Sequence, residues 1–212
     1  MMRRSLLTAA VVILSASGWM AVPPTAVAAD AIAAAEGPVA FMDQLWNRAV
    51  EVLSKDISAA VRRARFRDLF QTDFDGPGIA RFVLGRYWRS ASDDERQEFL
   101  KLFEDYVVLV YSTRLADFSG EVLKVRGSRT DHDGIIVSTD IISPGSTAPI
   151  KVDWRLVNGN GAFKINDVAI EGISMMVTQR SEFASVIQRH GGQVEGLLTL
   201  MREKTKTASI TE

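Results

Sequence analysis

No cysteine occurs anywhere in the 212 residues. Neither a disulfide framework nor thiol chemistry is therefore open to the chain, and its stability has to come from a buried core. Histidine is almost as scarce, with only His132 and His190. A usual zinc site needs three or four ligands, and nothing clusters with either residue, so they read as a solvated turn residue and a helix C-terminal cation. There is no excess of positive charge: 25 basic residues stand against 26 acidic ones, which gives no general reason to expect nucleic acid as a partner. Beyond the first 29 residues no apolar run is long enough to span a bilayer.

Those first residues are of a different kind. Arg3 and Arg4 precede an apolar stretch from Leu6 to Val22, and Ala26-Val27-Ala28 offers small residues at an exit. This is the pattern of a secretory signal peptide cleaved near Ala28 or Ala29, with an uncleaved membrane anchor as the competing form. Residues 30–206 then form one expected domain, with 207–212 as a loose polar tail. The roughly 180 residues left after cleavage suffice for one core.

Periodicity organises the domain. Val39, Met42, Leu45, Trp46, Ala49 and Leu53 recur at three- and four-residue steps and predict an amphipathic helix over 38–54. Phe66, Leu69 and Phe70 among Arg62, Arg63, Arg65 and Arg67 predict a short helix with a solvated basic face. Asp75 caps a helix that Pro77 starts and Gly85 stops, and Ser92 with Glu95 forms a capping box for a long helix. That helix is expected to show Phe99, Leu102, Phe103, Tyr106, Leu109, Val110 and Thr113 on one face. From Gly120 the period becomes two, predicting antiparallel strands over 120–127, 135–142, 149–157 and 162–177. The turns fall at Asp133-Gly134, Pro144-Gly145 and Asn158-Gly159-Asn160-Gly161. Two amphipathic helices, divided at Gly191-Gly192, end the domain. The expected class is α+β: a curled antiparallel sheet of about four strands, covered on one face by the N- and C-terminal helices.

Chemistry-bearing patterns are few. Gly76, Gly78 and Gly85 lack the Gly-Lys-Ser/Thr of a phosphate loop, and Ser174 lacks a nucleophile elbow. The pairs Asp73/Asp75 and Asp93/Asp94 sit where helix caps and first turns favour acids. Phe82 to Arg89 alternates aromatics with arginines. It reads as a core-facing aromatic cluster with Arg81, Arg86 and Arg89 outside, or as a pocket rim where guanidinium groups meet an anionic headgroup. No catalytic residue, metal site or cofactor emerges.

Three stretches carry a resemblance: FDGPGIARFVLGRYWRSASDDERQEFLKLFEDYVVLVYSTRL, then KVDWRL, then INDVAIEGISMMVTQRSEFASVI. Together they resemble the MlaC or toluene-tolerance family of periplasmic lipid-carrying proteins, including its hopanoid-associated branch, over about residues 39–204. The resemblance implies a monomeric auxiliary component of an ABC-type lipid transport system, working with an inner-membrane complex and an outer-membrane partner. Its cargo would be a phospholipid or hopanoid-type lipid in the periplasm, and its sheet and helices would enclose an apolar cavity for acyl chains. On that basis the wall candidates are Phe82, Val83, Trp88, Phe103, Tyr106, Val110, Val137, Val152, Trp154, Ile170, Ile173, Met175 and Met176. Arg86 and Arg180 are the rim candidates. The methionines suit a wall that must adapt to varied chains. Two alternatives stand beside this one: a small-molecule isomerase or hydrolase in an open cone-shaped α+β fold, and an envelope adaptor without a ligand. An enzyme would need a buried ionisable group with a shifted pKa in the pocket, and only Tyr106, Tyr111 and Asp167 offer one.

Overall fold

The computed structural model describes residues 37–52, 57–114, 118–132, 134–159 and 161–210. The expected signal peptide, Leu53, Asp133 and Asn160 lie outside the described residues. Among the described residues five helices come first: α1 (Pro38–Val52), α2 (Ala59–Asp73), α3 (Gly76–Leu84), α4 (Tyr87–Ser90) and α5 (Asp93–Arg114). Five strands follow: β1 (Val122–Asp131), β2 (Gly134–Ile142), β3 (Ile150–Gly159), β4 (Ala162–Ile170) and β5 (Ile173–Ser174). Helices α6 (Met175–Arg189) and α7 (Val194–Ile210) complete the α+β fold. The backbone of α7 stays helical to Ile210, through most of the expected tail. No described helix is long and apolar enough to cross a membrane.

Local chemistry sets the helix boundaries. The Asp75 carboxylate accepts the Gly78 N–H at 3.1 Å, and a Cβ at residue 78 would push that carboxylate out of its present position. Gly85 ends α3 at φ +59°, a conformation that L side chains rarely adopt. The capping box at α5 is reciprocal. Ser92 N–H donates to Glu95 at 2.8 Å, and Glu95 N–H donates to the Ser92 hydroxyl at 3.1 Å.

The sheet is antiparallel in the order β1-β2-β3-β4-β5. Its outer face is wet and paired: Ser138 donates to Asp153 at 2.6 Å, and Arg155 meets Asp131. The inner face carries Val137, Val152, Trp154, Leu156 and Ile165. The Trp154 indole N–H donates to Thr139 Oγ1 at 2.9 Å, so a large ring can be buried without an orphaned donor.

The last strand is shorter than its alternation suggests. It was expected to run over 162–177, but Glu171 (φ 49°) and Gly172 (φ 79°) turn the chain back after Ile170, and Ile173 pairs with Ile170 across a two-residue hairpin. Glu171 is held there by the Lys151 N–H, which donates to its carboxylate at 2.7 Å. Ser174 then caps α6, accepting the Val177 N–H at 3.0 Å. Met175, Met176 and Val177 are therefore the first turn of a helix, not a strand end.

Two cores result. One joins the helices around Phe99, which is 0% exposed, with Phe103, Phe183, Ile187, Leu198 and Met201. The other presses Phe41, Met42 and Leu45 of α1 onto Val137, Leu156 and Ile165 of the sheet. Leu69 and Phe74 touch both. Charged clips fasten the periphery. Arg67 spans from α2 to Glu104 (2.6 Å) and Asp105 (2.7 Å) of α5, so the basic face of α2 is not merely solvated. Arg202 of α7 reaches Glu98 of α5 at 2.6 Å and Glu195 at 2.6 Å, and its guanidinium holds both carboxyls below their ordinary 4.5.

Candidate functional site

Between the two cores lies a cavity of about 300 Å³, at the small end of the range for small-molecule sites. Leu45, Trp46, Ala49 and Val52 of α1 form one side. Phe66, Leu69 and Phe70 of α2, Phe74, then Ile79 and Val83 of α3 form the next, with Phe103, Val107 and Tyr111 of α5 beside them. Leu123, Ile141, Val152, Trp154, Val168 and Ile170 of the sheet supply the facing wall, and Met175 and Met176 close the N-terminal end of α6. Among the described residues, and apart from indole N–H groups, polar side-chain atoms come only from Tyr111, Asn166, Asp167 and Gln179.

Each of these elements exposes its wall residues for a backbone reason. In α5 the i, i+4 row Phe103, Val107, Tyr111 points at the cavity, while Phe99 and Leu102 enter the helical core. In β4 a bulge opposite Arg155 and Leu156 inserts Asn166 as an extra residue, so the strict alternation breaks and 166, 167 and 168 all reach the wall. Ile170 lines the cavity and is also 38% exposed, which places the way out at the β4–β5 end. Ile150 and Ile173 stand exposed at the same end, joined to it through the pairings Ile141–Ile150 and Ile170–Ile173.

Of the wall candidates, Val83, Phe103, Val152, Trp154, Ile170, Met175 and Met176 do line the cavity. The other six do not. Phe82 lies under the Arg180 guanidinium, 5.0 Å from the ring centre. Trp88 sits between Arg81 and Arg96, each 5.9 Å from its ring. Tyr106 packs edge-on against Phe183 at 5.9 Å in the helical core. Val110 shares the broad helix face of Phe103 and Val107 but does not line the cavity. Val137 is 0% exposed beneath α1, on the inner face of the sheet but in the solid core. Ile173 is 61% exposed because the hairpin swings it outward. The rim candidates are also elsewhere: Arg86 stacks on Tyr87 at 4.9 Å and donates to its hydroxyl at 2.8 Å, while Arg180 pins α6 to α3 at Gly85. The aromatic–arginine alternation is thus a set of cation–π contacts.

Sequence reasoning missed the contribution of α1 and α2. Their apolar stripes were legible, but a stripe does not say whether it meets side chains or a hollow.

The groups an enzyme would need are committed otherwise. Asp167 accepts the Val168 N–H at 2.9 Å, the Met176 N–H at 3.1 Å and the Ser174 hydroxyl at 2.6 Å, which makes it the brace for the start of α6. Burial pushes the Tyr111 hydroxyl above its ordinary 10.0, so it stays a neutral phenol and a poor base near neutrality. Among the described residues no group of three or more histidine, aspartate or glutamate side chains could hold a metal ion. His132 lies in the β1–β2 turn, and His190 caps α6 with Nδ1 at 2.9 Å from the Val186 carbonyl.

Comparison with known proteins agrees with this geometry. The chain is 26% identical over 125 residues to the intermembrane phospholipid transport system binding protein MlaC of Haemophilus influenzae, covering 57% of this chain and 58% of that one. It is 25% identical over 123 residues to the toluene tolerance protein ttg2D of Pseudomonas putida, covering 57% of each. The matched stretch thus spans less than two thirds of either relative. A phospholipid-binding protein from Ralstonia solanacearum, solved in complex with a phospholipid, shares the fold at 22% identity. It superposes with a TM-score of 0.59 over 67% of this chain and 81% of its own. The family model of the MlaC protein matches residues 43–203, and the chain belongs to that family.

Proposed function

We propose that the protein is a soluble periplasmic lipid carrier, the binding component of an ABC-type transport system that moves phospholipid between the inner and outer membranes. The observation that carries this is the apolar cavity between the helices and the inner sheet face, open at the Ile170 end and almost free of polar atoms. The names of the two relatives and the lipid in the solved neighbour support it.

Acyl chains enter the cavity and the headgroup stays in water at the mouth. Each methylene removed from water is worth about 0.8 kcal/mol, so a sixteen-carbon chain resists leaving its bilayer by roughly 12 kcal/mol. A carrier must nearly match that value, or the lipid would either not load or not unload. Contact with an inner- or outer-membrane partner would then tip the balance by favouring one state of the protein. No bond is made or broken.

Native mass spectrometry of the purified protein, followed by organic extraction, tests the proposal. The expected spectrum shows one bound phospholipid per chain. A hopanoid mass would change the cargo, and a protein that is bare and refuses added phospholipid would contradict the carrier function.

A further inference from the structure

The mouth of the cavity holds a cation and a hydroxyl that the fold leaves unengaged. Tyr111, in the last turn of α5, lines the cavity, and its hydroxyl takes part in no hydrogen bond among the described residues. The Arg114 guanidinium lies over the same ring, 5.8 Å from its centre, and is in no ion pair among the described residues. Both stand at the β4–β5 end. The chain that leaves α5 at Arg114 re-enters the sheet at Val122, which pairs with Ile142 beside the Ile141–Ile150 pairing, and Met176 at the start of α6 shares the cavity wall with Tyr111. Of the charges that act on the Tyr111 hydroxyl, Arg114 outweighs Glu182, whose carboxylate accepts the Gln179 amide at 3.1 Å. Arg86 and Arg180, by contrast, are committed within the fold.

We propose that Arg114 and Tyr111 form a headgroup subsite at the mouth, where the phosphate of a bound phospholipid accepts hydrogen bonds from the guanidinium and from the phenol. This rests on the carrier function proposed above. The negative face of the ring holds the guanidinium in place and leaves its planar N–H fork free to meet two phosphate oxygens. The phenol is neutral near pH 7, so its O–H is available as a donor. Hydrocarbon then lies against the apolar wall, and the phosphodiester lies at the water-facing edge where Arg114 is exposed. Solvent and salt screen a contact in that position, so it orients the headgroup and selects the cargo more than it adds affinity.

The test titrates delipidated protein in low salt with dioctanoyl phosphatidylglycerol and with dioctanoylglycerol, which carries the same chains and no phosphate. The wild type is expected to bind the phospholipid about tenfold tighter, the scale of charge-assisted hydrogen bonds reduced by solvent screening, and the ratio should shrink as salt is raised. Arg114→Gln, at an exposed helix end, should melt with the wild type and reduce the ratio to about twofold. Tyr111→Phe, which keeps the ring, should give an intermediate ratio. Inorganic phosphate is the second probe and should compete only weakly. Tight binding of inorganic phosphate to the lipid-free protein, lost in Arg114→Gln, would make this a free-anion site and overturn the headgroup assignment. Equal wild-type affinities for the two lipids, or a preference undiminished in Arg114→Gln, would also overturn it while leaving the carrier function intact. Failure of the wild type to bind either lipid would overturn both.

Discussion

Replacing Ala49 with tryptophan is expected to strip the protein of co-purifying lipid while leaving its fold in place. Ala49 lies on the cavity side of α1, between Leu45 and Val52, with no bulk of its own to contribute to the wall. An indole built there enters the hollow and not the packed core, so the usual cost of overfilling an interior is small. What it displaces is guest. Excluding even four methylenes forfeits about 3 kcal/mol, roughly a hundredfold in affinity. Lipid phosphorus per mole of purified protein should therefore fall close to zero, and the melting temperature should stay within a few degrees. Val110→Trp is the matched control, because Val110 sits on the same helix as Val107 but does not line the cavity, and it should keep its lipid. Full lipid content in Ala49→Trp would contradict the assignment of the cavity.

Phe99→Ala is expected to have the opposite signature: severe loss of stability through a residue the guest never touches. Phe99 stacks on Phe103 with ring centres 5.9 Å apart and meets Phe183 edge-on at 6.0 Å. Truncating a fully buried phenylalanine costs about 3–5 kcal/mol, which for a domain of this size lowers the melting temperature by roughly 10 °C. Met175→Ala, on the half-buried cavity wall, should cost well under half as much, since its side chain already has empty space on one side. Thermal melts of the two variants compare a solid core with a hollow one in a single chain. Equal losses would mean that the interior is uniformly packed.

The parts of this architecture that follow local rules were readable in the sequence. Asp75, Gly85, Ser92 and Glu95 fix helix ends through contacts three or four residues long, and the alternation of Ile150, Val152, Trp154 and Leu156 fixes the inner face of β3. Where the outcome depends on distant packing, the sequence is ambiguous. Val107 to Tyr111 is a continuous apolar run, so periodicity alone does not say which of its residues meet the cavity; Val107 and Tyr111 do, and Val110 on the same broad face does not. The Glu171-Gly172 turn lacks the Asn-Gly or Asp-Gly signature of such hairpins, which concealed the end of β4 and placed Met175 and Met176 on a strand. The bulge at Asn166 is invisible in the composition, because only the register with β3 reveals it. Val137 and Val152 show the deepest limit. Both are inward-facing valines on paired strands, one sealed beneath α1 and the other beside empty space.

The central claim is that acyl chains occupy the space beside Trp154. It is tested most directly by fluorescence quenching with a phospholipid brominated on its acyl chain, in variants that retain either Trp154 or Trp88 as the sole tryptophan. The Trp154 signal should be quenched to saturation at one lipid per protein, while that of Trp88, enclosed by Arg81 and Arg96 outside the cavity, should not change. Lipid binding that leaves Trp154 bright, or that quenches Trp88 as strongly, would contradict the account.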